Sequence, residues 1–470
     1  MLGIVDWSWR LDGWIIVVGV LCAMSSALLG TFLVLRRMSL LGDAISHAVL
    51  PGLAAAFLIS SSRSSWWMFV GAVVVGVLTA LLSDFIHRRG RVDEGASMGV
   101  VFTTLFAAGL VMIVMAADQV DLDPGCVLYG AIEQTPLDMW TVSVSDQVSW
   151  RMPRVVWILS AVAAMNAAFV IVFFKELKIS TFDPDLAGSS GLSPAAIHYM
   201  LMTLVAITAV ASFECVGNIL VVAMLVVPPA TAYLLTERLG ILILLACAIG
   251  TISAIAGHLA AVELPTWFGY RSTTTAGMMA VATGASFASA FMFAPRNGVA
   301  PRLARRWWLS WSILADDVLS LLYRIEERPG KPRNVSSIGR RGSQTAGEAD
   351  AIDWIAETLL TSRWATTWTL RFHAWRGNVT RPLDGQLPQL TDSGRTDARS
   401  LVRSHRLWEQ YLVTRGDASE KSIHDIAHRL EHFTDSKLAA ELDSQTDSPE
   451  TDPHGSPIPK PDPGEDFSSK

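Results

Sequence analysis

The chain has 470 residues, of which 51% are apolar and only 17% are charged, and its mean hydropathy is +0.37. This composition excludes a protein built only from soluble domains, because such domains carry more charge. The net charge of −6 also argues against a strongly basic nucleic-acid-binding protein. Charged residues concentrate after Pro295, so the sequence predicts a membrane half followed by a soluble half.

The first half, residues 1–295, contains apolar runs of about 20 residues, long enough for a helix to cross the hydrocarbon core. We predict nine spans, at 14–35, 44–59, 66–86, 95–116, 155–174, 198–213, 217–236, 239–261 and 273–293. The predicted fold class is therefore an all-α polytopic membrane protein with about nine transmembrane helices.

Basic residues lie mainly in alternate connections between these runs. Arg36, Arg37, Lys175, Lys178 and Arg238 all fall on one side when the runs alternate across the membrane. Cytoplasmic loops of membrane proteins carry an excess of Lys and Arg, so this side is predicted to be cytoplasmic. The N-terminus then lies outside, and the soluble half lies in the cytoplasm.

The soluble half is predicted to be mostly helical. A connector at 296–314 precedes a domain at 315–443, and a tail at 444–470 is rich in Pro, Asp and Ser, a composition typical of disorder. Within the domain, the periodicity predicts helices at 315–327, 352–362, 365–375, 392–414 and 419–442. The Gly-, Pro-, Ser- and Arg-rich segment at 328–350 is either a linker or a long wing-like insertion.

An ionisable pair stands inside the second predicted span. Asp43 and His47 are four residues apart, so both side chains project from one face of a helix. Ionisable residues within a membrane normally face a cavity or each other. A carboxylate and an imidazole suit manganese, iron(II) or zinc. Two interpretations remain open at this level, a metal-binding pair and a buried hydrogen bond that fixes helix packing.

A second group of metal-ligand residue types lies on the two longest helices of the soluble half. His405 and Glu409 are one helical turn apart, and His428, Glu431 and His432 fall within one turn of the next helix. Two facing helices can therefore present nitrogen and oxygen ligands to one ion. Solvated amphipathic helices also carry such residues by chance, and this alternative stays open.

Three segments of the membrane half resemble the membrane permease subunits of ABC importers for divalent manganese, zinc and iron. They are RRMSLLGDAISHAVLPG at 36–52, FKELKISTFDPD at 174–185 and ECVGNILVVAMLVVPPATA at 214–232. The resemblance covers about residues 10–295. It implies that Asp43 and His47 hold the metal in the translocation pathway, and that the chain lies in the plasma (inner) membrane of a bacterium.

The same resemblance implies several partners. In such permeases a cytoplasmic segment docks onto the ATPase, and Asp183 and Asp185 lie where the family carries it; an ordinary polar turn would have the same composition. No GxxxxGK[ST] motif occurs in the chain, so ATP must be bound by a separate ATPase subunit. An extracellular or periplasmic metal-binding protein and a second permease subunit, identical or sister, complete the expected assembly in the lipid bilayer.

The soluble half resembles the DtxR/MntR-type metal-dependent transcriptional regulators, from Ala315 to about Pro459. The similar segments are LTDSGR at 390–395, VRSHRLWEQYL at 402–412, IHDIAHRLEH at 423–432 and DPHGSPIP at 452–459. The resemblance implies a winged-helix-like domain. It places metal ligands at Asp317, His405, His428, Glu431 and His432, and a second metal site at Glu409 and His424. Ser320 stands where manganese-selective members carry a further acidic ligand, so the metal is left open among manganese, zinc and iron.

The helix–turn–helix region at 355–375 offers Arg363, Arg371 and the following Arg376 as DNA contacts. This region is unusually rich in Trp, and a membrane tether would restrict access to an operator. We therefore expect the extension to sense metal or to dimerise rather than to bind DNA.

We interpret the whole chain as a transporter permease, not an enzyme, with a metal-sensing cytoplasmic extension. The main alternative is a membrane-tethered metal-dependent transcriptional regulator, in which the spans serve only as an anchor or sensor. An ATP-independent carrier is a third interpretation. The ionisable pair in the second span favours the permease.

Overall fold

The computed structural model describes residues 9, 11–60, 65–116, 132–145, 148–270, 273–327, 348–380, 387–416 and 420–461. The chain forms two compact units, Met1–Arg302 and Leu303–Lys470. Each unit has its own apolar core.

The helices of the first unit follow the predicted apolar runs closely. They are α1 (Asp12–Leu35), α2 (Leu41–Ser60), α3 (Ser65–Gly90), α4 (Glu94–Ala116), α5 (Arg154–Val172), α6 (Phe174–Phe182), α7 (Pro184–Ser189), α8 (Pro194–Val216), α9 (Asn218–Leu235), α10 (Leu239–Trp267) and α11 (Thr275–Phe293). Within the described residues, nine helices are long and apolar enough to cross a membrane, all of these except the short α6 and α7. The predicted polytopic helical fold is confirmed.

One departure from an all-helical unit precedes α5. Strands β1 (Met139–Ser145) and β2 (Val148–Pro153) pair in antiparallel register, with Trp140 opposite Met152. The segment from Trp140 to Ser145 alternates apolar residues with small polar ones, which is the pattern typical of a strand. Long apolar runs indicate only membrane-spanning helices, so this hairpin was not predicted.

Helices α1 and α9 approach each other closely at a glycine. A Cβ atom on Gly30 would lie 1.8 Å from the backbone oxygen of Leu225, so no larger residue fits. The residue four positions after Leu225 is Pro229, which has no N–H to bind that oxygen. The glycine therefore lets α1 pack directly against a carbonyl that its own helix leaves free.

Within the described residues, five helices and all but the first four residues of a sixth belong to the second unit. They are α12 (Val299–Glu326), α13 (Glu348–Thr358), α14 (Arg363–Arg376), α15 (Asp392–Gly416), α16 (Glu420–Glu431) and α17 (Ser436–Gln445). An isolated antiparallel bridge joins Val379 to Leu390. The predicted helical, regulator-like domain is confirmed in outline.

Two helices differ most from the sequence expectation. The first helix of the unit begins at Val299, not at Ala315, so most of the predicted connector is helical. The single helix predicted at 419–442 is two helices, because Asp435 caps α17 by accepting a hydrogen bond from the N–H of Leu438.

The tail from Ser444 onward, which was expected to be disordered, packs on the second unit as far as the residues before 461. Arg403 donates to the carbonyl oxygen of Pro459, Arg406 donates to that of Pro457, and Ile458 is buried. The proline-rich composition of this tail suits an extended path, because proline has no N–H for helical hydrogen bonds and the carbonyl groups accept from arginines instead.

Candidate metal sites

The pair predicted in the second span lies on one face of α2. The Nε2 atom of His47 is 3.6 Å from Oδ1 of Asp43, and both side chains are partly exposed within the first unit. The His47 ring stacks on Phe102 and meets Phe106 edge-on, with ring centroids 5.4 and 5.7 Å away. At 3.6 Å the pair makes no hydrogen bond, so both groups keep atoms free to bind a third partner.

Close packing of α4 on α2 places these phenylalanines beside His47. A Cβ atom on Gly109 would lie 2.7 Å from the ring of Pro51. The contact needs a glycine, and it sits one turn after Phe106 along α4. The imidazole is therefore held between an aromatic wall and the neighbouring carboxylate.

A polar network that the sequence interpretation missed surrounds Arg36, just after α1. Its guanidinium donates to Oγ of Ser180 at 2.8 Å and to Oγ1 of Thr181 at 3.1 Å, both on α6. It also lies 3.5 Å from Nδ1 of His198 on α8. Residues from three helices therefore meet at one cation.

The network continues to a buried carboxylate on α3. Asp84 lies 3.5 Å from Nε2 of His198 and accepts hydrogen bonds at 2.8 Å from Arg88 and from the hydroxyl of Tyr199. Buried ionised groups require such partners. No motif marked these residues, because they are far apart in the sequence.

The two aspartates predicted to couple with the ATPase differ in their surroundings. Asp183 caps α7 by accepting a hydrogen bond from the N–H of Leu186 at 2.9 Å. Asp185 is exposed in the first turn of α7, beside exposed Phe182 and Leu186. This short helix thus presents a carboxylate with two apolar side chains, while Asp183 also stabilises the backbone.

Other polar residues of the spans have separate positions. His258 on α10 is buried and lies 3.2 Å from Oδ1 of Asp12 on α1. Two aspartates between α4 and β1 in the sequence, Asp121 and Asp123, lie outside the described residues, as does the side chain of Glu214.

In the second unit, four predicted ligands converge. Atoms of Asp317, His428, Glu431 and His432 all lie within 4.8 Å of one another, which is close enough to hold one metal ion. Asp317 comes from α12, and the other three come from the end of α16 and the residue after it. We refer to these four residues as the first cluster.

A neighbouring group consists of His405 and Glu409 on α15 and His424 on α16. We refer to it as the second cluster. Nε2 of His405 lies 3.0 Å from Oε1 of Glu409 and 3.1 Å from Nδ1 of His424. The resemblance placed His405 with the first cluster, and this assignment stays a prediction.

His405 nevertheless touches both clusters. Its Nδ1 atom lies 2.7 Å from Oε2 of Glu431, within hydrogen-bond distance, and both atoms are buried. Nε2 of His432 is buried without a hydrogen bond. Buried polar atoms are normally satisfied, so inward-facing donor atoms of this kind fit a metal ion.

Two residues beside the clusters were not predicted. Oδ2 of Asp316 lies 3.2 Å from Nδ1 of His432, on the ring edge away from Asp317. His454, on the turn after α17, places Nε2 3.9 Å from Oε1 of Glu409. Asp316 adjoins a predicted ligand in the sequence, but its direction toward His432 depends on how two helices pack.

The carboxylates and histidines of the clusters shift each other's pKa values. Burial raises the pKa of Glu409, but hydrogen bonds from His405 and His424 outweigh it and bring the value to about 2. Glu431 behaves similarly with His405 and His428, and its pKa is also about 2. Burial lowers the pKa of His432, yet Asp316 and Asp317 raise it to about 9. The metal-free clusters therefore hold protons that a metal must displace.

The three arginines predicted to contact DNA are all engaged within the unit. Arg363 lies 3.3 Å from Oδ1 of Asp353, Arg371 lies over the ring of Trp368, and Arg376 lies over that of Phe372.

A family model described as the ABC 3 transport family matches residues 13–293, more than half of the chain. The chain belongs to the ABC 3 transport family. The resemblance inferred from the segments around Asp43, Asp183 and Pro228 is thereby confirmed. A second model, the metal binding and dimerisation domain of iron dependent repressors, matches residues 391–460, which confirms the regulator-like part of the fusion.

Relatives of the membrane half include transport proteins for two metals. The manganese transport system membrane protein MntD of Bacillus subtilis (strain 168) is 43% identical over 294 residues, covering 63% of this chain and 96% of the relative. The zinc transport system membrane protein TroD of Treponema pallidum (strain Nichols) is 38% identical over 288 residues, covering 61% and 75%. The solved structure of PsaBC from Streptococcus pneumoniae in complex with Fab is 28% identical, covers 61% of this chain and 92% of that one, and has a TM-score of 0.49.

Proposed function

We propose that this chain is the permease subunit of an ABC importer that moves a divalent transition metal into the cytoplasm, manganese first and zinc or iron next. Membership of the ABC 3 transport family and the metals named for its relatives support this proposal. The observation that carries it is the pair of Asp43 and His47, facing each other on α2 without a hydrogen bond.

In the proposed pathway, Asp43 supplies a hard oxygen and His47 a borderline nitrogen to a cation that has shed water. Neither is sufficient alone, because one ligand cannot replace the lost hydration. Phe102 and Phe106 fix the imidazole by ring contacts, so its nitrogen stays directed toward the pathway. The carboxylate also favours cations over anions at this depth.

Energy comes from a separate ATPase subunit that docks on α7. Asp185, Phe182 and Leu186 are exposed there and offer a mixed polar and apolar contact. The neighbouring α6 is tied to Arg36 by two hydrogen bonds, and Arg36 leads within a few residues into α2. A movement of the docking helix therefore has a short route to the helix that carries the pathway pair.

An extracellular or periplasmic metal-binding protein delivers the cation, and a second permease subunit completes the membrane assembly. With the N-terminus outside, the basic connections and the second unit lie in the cytoplasm. The chain then resides in the inner membrane of a bacterium.

The second unit senses the imported metal. The first cluster offers two carboxylates and two imidazoles, and the second offers one carboxylate and two imidazoles. Both sets suit manganese, iron(II) or zinc. A bound ion would neutralise the buried carboxylates and join α12, α15 and α16, so occupancy would set how firmly these helices hold together.

Uptake of radioactive manganese tests the transport proposal. The full chain is expressed with its ATPase and binding protein in cells without other manganese importers. Asp43→Asn and His47→Ala should each abolish uptake while the protein stays in the membrane, whereas replacing both His428 and His432 with Ala should leave transport in place. Uptake by the Asp43→Asn/His47→Ala double variant at the unmodified rate would refute the pathway. Loss of transport only in the cluster variant would favour a tethered regulator.

A further inference from the structure

One face of α14 is aromatic and open to solvent. Trp364, Trp368 and Trp375 are separated by four and seven positions, so they lie along one side of the helix. Their exposed fractions are 62%, 46% and 84%. The opposite side, with Leu370 and His373, is buried in the unit. Exposed tryptophans in such a row indicate a binding surface.

Basic groups accompany this row. The guanidinium of Arg371 lies 5.9 Å from the ring centroid of Trp368, and that of Arg376 lies 5.8 Å from the ring of Phe372. Arginines held over aromatic rings keep their charge while covering apolar area. This face of α14 is therefore both apolar and cationic.

The start of α12 extends the same surface. Trp307 and Trp308 are 75% and 77% exposed, and Arg305 and Arg306 precede them. Both tryptophans line a cleft of about 680 Å³ whose other wall includes Phe372 and Arg376. We call the whole set the aromatic–basic surface. It consists of Arg305, Arg306, Trp307, Trp308, Trp364, Trp368, Arg371, Phe372, Trp375 and Arg376.

We propose that the aromatic–basic surface binds the anionic headgroup region of a lipid bilayer. Tryptophan prefers the membrane–water interface, where its ring is buried and its N–H stays hydrated. Arginines beside it attract anionic headgroups. The chain favours this occupant because the last candidate span ends at Phe293 and α12 begins at Val299, which tethers the surface to a membrane helix.

A DNA duplex fits the surface less well. A recognition helix reads base edges with extended polar side chains. Here Arg363 pairs with Asp353, and the remaining two arginines lie against aromatic rings of their own helix. Three exposed indoles would meet a phosphate-lined groove in place of hydrogen-bonding groups.

Hydroxyl-radical footprinting of the full chain in nanodiscs tests the proposal, because mass spectrometry then gives the oxidation rate of each aromatic side chain. Phe433 is the internal standard, since it is 64% exposed and lies outside the surface. Relative to Phe433, oxidation of Trp364, Trp368 and Trp375 should be several-fold slower in nanodiscs with one third phosphatidylglycerol than in phosphatidylcholine alone.

Arg371→Glu combined with Arg376→Glu should abolish this protection. Arg415→Glu with Lys460→Glu changes the same number of charges at exposed positions elsewhere and should leave it intact. Leu407 is fully buried, so its continued protection from oxidation shows that the unit remains folded. Equal oxidation in both lipids refutes the proposal. So does protection that is independent of lipid, which indicates a second copy of the chain, or protection by an added DNA duplex in phosphatidylcholine.

Discussion

Arg36 donates a hydrogen bond from Nε to Oγ1 of Thr181 at 3.1 Å, although 145 positions separate the two residues in the sequence. The bond joins the end of the first span to the helix that precedes the proposed ATPase contact. Since Ser180 and His198 share the same guanidinium, one cation holds three helices together.

Arg36→Ala should therefore lower metal-stimulated ATP hydrolysis by the assembled transporter several-fold. Removing the guanidinium leaves partly buried hydroxyl and imidazole groups without their partner, which costs about 1–3 kcal/mol of stability per group. The neighbouring Arg37 is exposed, and Arg37→Ala is the matched control. ATPase activity of the purified complex with and without manganese is the measurement. Equal effects of the two substitutions would show that only local charge matters.

Asp185→Lys should uncouple ATP hydrolysis from transport. Asp185 is exposed on α7, so the substitution reverses the charge of the contact surface without disturbing the helix backbone. Asp183 needs a different substitution because it caps the helix. Asp183→Asn keeps the cap, whereas Asp183→Ala loses about 1 kcal/mol of helix stability. Glu237→Lys, at another exposed carboxylate, is the control for charge. Retained metal-stimulated ATPase activity in Asp185→Lys would place the docking contact elsewhere.

Metal binding by the second unit should strengthen as pH rises from 7 to 9. The pKa of His432 is raised to about 9, so at pH 7 a metal ion must displace its proton. Each displaced proton changes the affinity by about tenfold per pH unit below the pKa of its group. Calorimetric titration of residues 299–470 with manganese and zinc at several pH values is the measurement. An affinity that is constant above pH 7 would contradict it.

Asp316 and Asp317 should behave differently in that titration. Asp317→Asn removes an oxygen ligand of the first cluster and should weaken binding at every pH. Asp316 and Asp317 both raise the pKa of His432, so both variants ease proton competition, but Asp316→Asn keeps all four ligands of the first cluster. At pH 9.5, where little proton competition is left, Asp316→Asn should therefore bind metal more tightly than Asp317→Asn. Equal affinities of the two variants at pH 9.5 would refute this separation of roles.

His405→Ala should reduce binding at both clusters, because His405 belongs to the second and lies 2.7 Å from Glu431 of the first. His424→Ala should affect only the second cluster. We expect two ions per chain without substitutions, one for His424→Ala and fewer than one at the same metal concentration for His405→Ala. Elemental analysis after gel filtration counts the bound ions. Identical stoichiometry in the two variants would contradict the bridging position of His405.

Hydropathy predicted the nine spans because burial in lipid demands long apolar helices and leaves few alternatives. Turn spacing likewise predicted that His428, Glu431 and His432 share one side of a helix, since that relation is local. The predicted start of α12, at Ala315, lies too far along the chain. Arg305 and Trp307 interrupt the amphipathic pattern before it, although neither residue breaks the backbone hydrogen bonds of a helix.

The contacts between helices could not be predicted from the sequence. Nothing local to Asp84 indicates His198, and nothing local to His432 indicates Asp316, because such pairs depend on packing between distant segments. His405 shows the same limit within a predicted site. Its neighbours along α15 were evident, but its distance to Glu431 depends on how α15 and α16 cross.

The bare contact between Gly30 and the Leu225 carbonyl makes a pivot inside the membrane. With Pro229 in the place of its usual partner, α9 can change its angle there without breaking a backbone hydrogen bond. At Gly30 no side chain separates the two backbones, so a tilt of α9 at this point would be passed directly to α1. Gly30 is thus the contact point about which α1 and α9 can tilt together. A methyl group at this position would block that movement.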